Sequence, residues 1–235
     1  MSSSPTKKVR VEVNSAIRDG FRERGWTAVR GRAGTFQAPD SVMALPLVLR
    51  VWVTVDADKF GGATFTGRAV IQCDAVTDVV VGFDRSAIPS SLTVFPGDEL
   101  IRGTLNLGVE TAGGLLDPRG SYHQWSVTDL EGVAAATAEF FALVDGPLLE
   151  WASVRDAPAK LFAAVGDLDT PTQLRDSAAG IRAVTVLALL QGRPDVARGA
   201  VAAYVPESEA DTDRFPLFER ELAMRFPEYG PLQRS

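Results

Sequence analysis

The chain has 235 residues, of which 46% are hydrophobic and 23% charged, and its formal net charge is −6 at pH 7. This composition is typical of a soluble globular protein, and no apolar run reaches the about 20 residues that a membrane span needs. One histidine, His123, and one cysteine, Cys73, exclude an internal disulfide and a zinc site built from several thiolates and imidazoles. We therefore expect a cytoplasmic protein with no cofactor, no metal and no membrane association.

The charge is unevenly distributed along the chain. Eight basic and three acidic residues give residues 1–32 a net charge of +5, which leaves −11 for the remaining 203 residues. An acidic chain disfavours nucleic acid as a partner, because attraction to phosphate dominates sequence-independent binding. The basic section suits either a solvated helix face or contact with an acidic protein partner.

The first residues predict a helix. Its apolar positions recur at helical spacing, with Asn14 or Ser15 available as a cap and Gly25 as a terminator. These apolar positions are Val13, Ile17 and Phe21.

Strands are predicted to follow the opening helix. Period-two alternation indicates strands at residues 47–55 and 65–73, joined by a hairpin at 56–62 whose glycines tolerate positive φ. Val79, Val81 and Phe83 indicate a further strand, and residues 101–107 another. The segment 84–120 is rich in Pro, Gly, Ser and Asp, which predicts long surface loops.

From residue 126 the hydrophobic period becomes helical. Thr128 and Glu131 have the spacing of a capping box, in which two side chains satisfy exposed backbone donors reciprocally. Gly146-Pro147 is expected to end this helix and to open the next. The predicted buried stripe of the first helix consists of Leu130, Val133, Ala134, Thr137, Phe141 and Val144.

Further helices are predicted to start near Asp156-Pro158 and at residues 169–171. Gly192 is expected to separate the two arms of an αα-hairpin, the second of which ends at Val205-Pro206. An acidic linker at 207–213 then leads to a last amphipathic segment with apolar residues Phe215, Phe218, Leu222 and Phe226.

Strands followed by helices predict an α+β fold, in which an N-terminal helix and an antiparallel sheet precede a C-terminal helical region. We divide the chain into an α+β domain at 1–167 and a helical extension at 168–235. The alternative is one continuous body.

Little in the sequence points to catalysis. The nucleophile-elbow, P-loop and dinucleotide-binding motifs are absent from the sequence. His123 fits a structural role at a strand end, and Cys73 fits an inert buried thiol. Magnesium or acid–base chemistry would need two or three carboxylates to converge. The candidates are Asp74, Asp78, Asp84, Asp98, Glu99 and Asp117.

The most suggestive binding residues surround one tryptophan. Arg22, Arg24, Arg30 and Arg32 cluster about Trp26 in the basic section of the chain. Interface energy concentrates in Trp, Tyr and Arg, so this composition suits a protein-binding hot spot. The alternative is that Trp26 covers the edge of the core while the arginines face water.

Two stretches resemble a bacterial family known as the domain of unknown function number 4304. The first runs from Phe21 through Trp26 and on to Gly31 and Thr35-Phe36. The second comprises Trp125, then Phe140-Phe141 and Pro147-Leu148-Leu149. The resemblance covers residues 11–165 and implies an α+β domain without known activity. Some related small bacterial proteins look like immunity proteins that neutralise toxins.

These observations favour a non-enzymatic interaction protein, an immunity-type or regulatory binder of a bacterial protein partner. One alternative is an enzyme that uses carboxylates and arginines, such as a magnesium-dependent phosphodiesterase or a nucleotide-processing enzyme. Another is a small-molecule binder with its pocket between the sheet and the helices.

Overall fold

The computed structural model describes residues 5–59, 61–87, 124–166, 178–204 and 209–230. These residues form two compact units that are discontinuous in sequence. The first unit contains the described residues 5–43, 48–59, 61–70 and 124–154, and the second contains 44–47, 71–87, 155–166, 178–204 and 209–230. An N-terminal helix, an antiparallel sheet and later helices confirm the predicted α+β class.

The first unit is built on a five-stranded sheet with the strand order β1-β2-β3-β4-β5. The strands are β1 (Thr27–Ala28), β2 (Thr35–Gln37), β3 (Val48–Ala57), β4 (Ala63–Gln72) and β5 (Trp125–Val127). Its helices are α1 (Pro5–Glu23), α3 (Gly132–Leu143) and α4 (Leu149–Ser153).

An aromatic cluster joins α1 and α3 to one face of this sheet. The ring of Phe21 from α1 stacks on Phe36 of β2, with the centroids 4.2 Å apart. Phe140 from α3 packs edge-on against Phe65 at 5.8 Å and against Trp125 at 5.3 Å. Offset and edge-on ring pairs add to the stabilisation by buried apolar area, so this cluster forms the core of the unit.

The ends of α1 only partly match the prediction. The helix begins at Pro5, so the expected caps Asn14 and Ser15 lie in its interior, where the Asn14 amide donates to the Arg10 carbonyl at 2.8 Å. The predicted termination at Gly25 is confirmed, because Gly25 has φ +75° and its amide closes the last turn on the Arg22 carbonyl. Glycine adopts this left-handed conformation without a steric penalty.

The predicted hairpin between the two long strands is confirmed. The amide of Asp58 donates to the carbonyl of Gly62 at 2.9 Å, which closes the turn between β3 and β4. Both strands are ten residues long. This closure therefore places Trp52 opposite Arg68 and Thr54 opposite Thr66 in the antiparallel pair.

The start of α3 is capped by a different residue from the one predicted. The Asp129 carboxylate accepts the Gly132 amide at 2.9 Å, whereas the hydroxyl of Thr128 donates to that carboxylate at 3.2 Å. The Thr128–Glu131 capping box was therefore wrong. An Asp side chain accepts an early helix amide as well as Ser or Thr does, so the neighbouring residue has taken the role.

The predicted face of α3 is only partly correct. Leu130 is 52% exposed and Ala134 is also exposed. The Gly146-Pro147 break was wrong as well, because a π-helical turn at Val144–Leu148 carries the chain on into α4. The buried positions of α3 and the π turn are Val133, Thr137, Phe140, Phe141, Val144 and Leu148.

The continuous helical stretch Gly132–Ser153 has the length and apolar composition of a membrane span. The core helix of a soluble protein passes the same test, and Phe140 and Phe141 of this stretch pack against aromatic rings of the first unit.

The second unit is helical. It contains α2 (Asp74–Val81), a 3₁₀ turn (Arg85–Ala87), α5 (Pro158–Gly166), α6 (Ala178–Leu190), α7 (Pro194–Ala203), α8 (Glu209–Arg225) and a second 3₁₀ turn (Pro227–Tyr229). Gly192, with φ +68°, separates α6 from α7, which confirms the αα-hairpin. The second arm ends at Ala203, before the predicted Val205-Pro206.

Other predictions for the segments of this unit were wrong, or they concern residues outside the described ranges. The strand predicted at Val79, Val81 and Phe83 is the helix α2, which buries Val76 and Val80 one turn apart. The acidic linker predicted at 207–213 runs into α8, which begins at Glu209. The predictions at 101–107 and 169–171, and most of 84–120, lie outside the described residues.

Candidate functional site

The side of α1 that faces away from the sheet carries two rows of charge. Side chains three or four positions apart share a helix face. One row therefore consists of Lys7, Val11, Arg18 and Arg22, all of them exposed. The neighbouring row consists of the acidic residues Glu12, Asp19 and Glu23.

Of the predicted binding residues, Arg22 and Arg30 lie on the surface. The Arg22 side chain is 74% exposed and forms an ion pair with Asp19 at 2.9 Å. An ion pair this exposed is weak, because water and salt screen it and ordering two side chains costs entropy. Within the described residues, no ion pair involves Arg10, Arg18 or Arg30.

Arg24 has a structural role instead. Its guanidinium binds both carboxylate oxygens of Asp145, with Nε–Oδ1 and Nη2–Oδ2 distances of 2.8 Å. It also donates to the Gly20 carbonyl at 3.0 Å and lies 4.2 Å from the centroid of the Phe141 ring. A bidentate pair with a stacked ring fixes a guanidinium in one geometry, so Arg24 fastens the end of α1 to the π turn after α3.

Trp26 is buried and Arg32 is half-buried. Only 6% of Trp26 is exposed, and its ring lies 5.1 Å from the ring of Phe21. The indole therefore covers the edge of the core, which matches the alternative reading of this residue. Of the five predicted residues, the structure leaves Arg22 and Arg30 largely available to a partner.

The carboxylates considered for catalysis can be compared only where they lie within the described residues. Among the described residues, no three His, Cys, Asp or Glu side chains come together as they would around a metal ion. Asp98, Glu99, Asp117 and His123 lie outside these residues. Hydrogen bonds from the amide and hydroxyl of Ser86 lower the pKa of exposed Asp84, which is the ordinary effect of a local turn.

The face of the sheet opposite α1 and α3 was identified from the sequence, but no site was assigned to it. Trp52 and Arg68 lie there side by side, because residues that alternate with the core positions Val51 and Ala69 point to the second face. Sequence alternation did reveal this face, but the pairing of Trp52 with Arg68 depends on the register of the hairpin. That register follows from the turn at Asp58–Gly62.

Comparison with known proteins finds no match to this chain among family models, curated proteins or solved structures.

Proposed function

We propose that this protein is a non-enzymatic cytoplasmic interaction protein, an immunity-type or regulatory binder that attracts an acidic region of a protein partner. The proposed surface consists of the exposed arginines of the basic section, which we call the N-terminal basic surface: Arg10, Arg18, Arg22 and Arg30.

One observation carries this proposal: residues 1–32 have a net charge of +5 in an acidic chain, and their exposed arginines are little neutralised. Within the described residues Arg10, Arg18 and Arg30 form no ion pair, and Arg22 has only a highly exposed pair with Asp19. Arg10 and Arg18 lie on the exposed side of α1, and Arg30 follows β1. The protein has a net charge of −6. A local field opposite in sign to the whole molecule orients an approaching partner, and such steering acts mainly on the association rate.

Two other residues of this section have structural roles. Arg24 binds Asp145 and Phe141, and Trp26 belongs to the core. The proposed contact group therefore differs from the one expected from composition: it leaves out Arg24, Trp26 and Arg32 and adds Arg10 and Arg18. The test variants leave Arg24 and Trp26 unchanged.

The test is affinity capture from the native host with the purified protein as bait. We expect wild type to retain a specific partner and the triple variant Arg18→Glu, Arg22→Glu, Arg30→Glu to lose it. Arg220→Glu is the matched control, because Arg220 is an exposed helix arginine in the second unit. Circular dichroism should show that both variants remain folded.

Salt provides an independent check. Exposed charges are screened beyond about 8 Å at physiological ionic strength. Raising the salt concentration should therefore slow association of the captured partner and change its dissociation rate much less. Equal capture by wild type and the triple variant would eliminate the N-terminal basic surface.

A further inference from the structure

The strand β1 forms an edge of the sheet, because it stands at one end of the strand order. Both of its residues, Thr27 and Ala28, are exposed. The amide of Val29 donates to the carbonyl of Thr35 at 2.9 Å, and Ala28 lies opposite Phe36. In an antiparallel pair, residues that exchange hydrogen bonds alternate with residues that do not. The backbone N–H and C=O of Ala28 therefore point away from β2, towards solvent.

Two more backbone groups point the same way, because a trans peptide unit directs its N–H and its C=O to opposite sides. The amide of Thr27 points to β2, so the carbonyl of Trp26 points outwards. The carbonyl of Val29 accepts the amide of Arg32 at 3.2 Å, so the amide of Arg30 points outwards as well. Together the four outward groups are two donors and two acceptors. Within the described residues, no hydrogen bond occupies them.

This edge is short, but its conformation is fixed at both ends. Before β1, the amide of Trp26 donates to the Phe21 carbonyl at 3.0 Å, and the buried indole lies against the Phe21 ring. After β1, the chain turns back to β2 through Gly31 and Gly34, whose φ angles are +78° and +70°. A preorganised edge loses less conformational entropy on binding than a segment that must first become extended.

The chemistry of these four groups selects the class of ligand. Donors and acceptors that alternate along an extended backbone are matched by another extended backbone, which adds to the sheet as a further strand. The phosphate oxygens of a nucleic acid accept but do not donate hydrogen bonds. They would leave the two outward carbonyls without a partner. The occupant is therefore a polypeptide segment.

Charge distinguishes a second copy of this chain from a different protein. Residues 20–32 contain four arginines and one glutamate, which gives +3, and the pairing of Arg24 with Asp145 reduces this to +2. Arg30, at the end of the edge, is exposed. Pairing two copies through β1 would bring two such sections together, and like charges facing each other destabilise an interface. An acidic segment is attracted instead.

We propose that an extended acidic segment of a partner protein adds to the sheet beside β1. We call the outward backbone groups of Trp26, Ala28 and Arg30 the β1 edge. This inference rests on the proposed function, since the partner is the same, and it specifies how that partner binds. The N-terminal basic surface attracts the segment, and the β1 edge holds it by backbone hydrogen bonds.

The test uses a short acetylated and amidated peptide of alternating glutamate and threonine, followed by two-dimensional ¹H–¹⁵N NMR of protein labelled at alanine. The signal that disappears in Ala28→Val belongs to the Ala28 amide. We expect added peptide to move this signal saturably and to slow exchange of this amide with solvent, because the amide gains a hydrogen bond. The same peptide methylated at every backbone nitrogen keeps its charge but has no backbone donors, and it should not bind.

Variants of Ala28 change the backbone donor without changing the charge. Ala28→Pro removes an amide that the β1–β2 pair does not use, and proline is tolerated at such positions of edge strands. It should weaken peptide binding about tenfold or more, because it leaves an acceptor of the peptide unpaired. Ala28→Val keeps the amide and is the matched control, with an affinity like that of wild type. The Arg30 amide signal of uniformly labelled protein reports the affinity in each variant.

Three outcomes overturn the proposal: an Ala28 signal that does not move, equal binding of the methylated peptide, or equal binding by a folded Ala28→Pro variant. If Ala28→Pro does not fold, the methylated peptide decides. Dimerisation of the protein that Ala28→Pro abolishes would instead assign the edge to a second copy.

The β1 edge and the proposed function can fail separately. Ala28→Pro leaves the arginines Arg18, Arg22 and Arg30 unchanged. If this variant captured the partner as well as wild type does, the β1 edge would be wrong and the N-terminal basic surface would stand. If the triple arginine variant captured the partner undiminished while the peptide bound at Ala28, the proposed function would be wrong and the edge would stand as a peptide site.

Discussion

Cys73 lies at the junction between β4 and α2, where its side chain is 1% exposed. Burial raises the pKa of the Cys73 thiol above its ordinary value, and the carboxylates of Asp74 and Asp78 act in the same direction. The nearby amides of Val76 and Ala75 oppose this by lowering it. Because the thiolate is the reactive species, the thiol should be both inaccessible and largely unionised at neutral pH.

We expect Cys73 to react slowly with a thiol reagent in the native state and rapidly in urea. Cys73→Ala should cost about 1 kcal/mol of unfolding free energy, as for a small buried group. Labelling of the native protein as fast as of the unfolded protein would contradict the buried position.

The raised pKa of Cys73 should also make the stability of the protein depend on pH. The folded pKa is above that of the unfolded chain, where Cys titrates near about 8.5. The contribution of the Cys73 thiol to the free energy of unfolding is therefore fully present below this pH. It is lost as the pH rises towards the folded pKa, by up to about 1.4 kcal/mol per pH unit. The Cys73→Ala variant, measured by urea unfolding, should not show this loss of stability above about pH 8.5. It therefore serves as the control for the wild-type protein.

Single residues were predictable where local spacing determines their environment. Cys73 alternates with Phe65, Ala69 and Ile71, so its burial followed from period two and is confirmed. Arg24 could not be assigned, because its partner Asp145 lies 121 residues along the chain. The proximity of two such residues is a property of the packed fold, which spacing along the chain does not contain.

Among the elements, the contact between α1 and α3 depends on a glycine. A Cβ atom at Gly20 would collide with the ring of Phe141, which also contacts Phe21, Phe140 and Arg24. Gly20 has no positive φ to explain it, since it lies inside a regular helix. The missing side chain allows the close approach of the two helices.

Gly20→Ala should destabilise the protein by about 1–3 kcal/mol, because the surrounded ring has little room to move. In a Phe141→Ala background the ring is gone, so the same change should become neutral or stabilising by up to about 1 kcal/mol through helix propensity. Phe141→Ala alone should cost about 3–5 kcal/mol. Denaturant unfolding of the four proteins forms a double-mutant cycle, and additive effects would contradict the contact.

Elements with a clear period were predicted correctly, and those with mixed signals were not. The β3–β4 hairpin has one apolar face at period two and was confirmed, although Arg50, Val70 and Gln72 of the other face are buried as well. In α2, three consecutive valines favour a strand, yet Val76 and Val80 lie one helical turn apart and are buried. A short β-branched run fits both periods, so tertiary packing decides. Pro147 was predicted to end a helix. In the structure it lies inside the π turn Val144–Leu148, whose wider backbone accommodates the proline ring.

At the scale of the whole molecule, the second unit takes residues from both halves of the chain. Residues 71–87 belong to it together with 155–166, 178–204 and 209–230. The Phe83 ring lies 5.7 Å from Phe218 of α8 and is covered by the Arg225 guanidinium at 5.1 Å. Arg225 also donates to the Gly82 carbonyl. The end of α2 is thus packed by residues more than 130 positions later in the sequence.

This interdependence makes a prediction about the division of the chain at residue 167. A chain cut there keeps α2 but loses α6 and α8, which pack against α2 and the 3₁₀ turn that follows it. Val76, Val80 and Phe83 would then face water, and burying a side chain of this size contributes about 1.5–3 kcal/mol. Because a domain is stable by only about 5–15 kcal/mol, we expect residues 1–167 to bind a hydrophobic dye and to lack a cooperative thermal transition.

A cut after residue 230 provides the matched control, since it keeps all the described residues of both units. It should melt at the temperature of the full chain. If residues 1–167 also melted cooperatively at that temperature, residues 71–87 would not need the later helices, and the helical region after residue 167 would be a dispensable extension. The expected loss instead requires that the helices after residue 167 stabilise residues 71–87, which follow the first unit directly in the chain. The unit that carries the N-terminal basic surface is thus continuous in sequence with a helical unit that the first half of the chain cannot complete by itself.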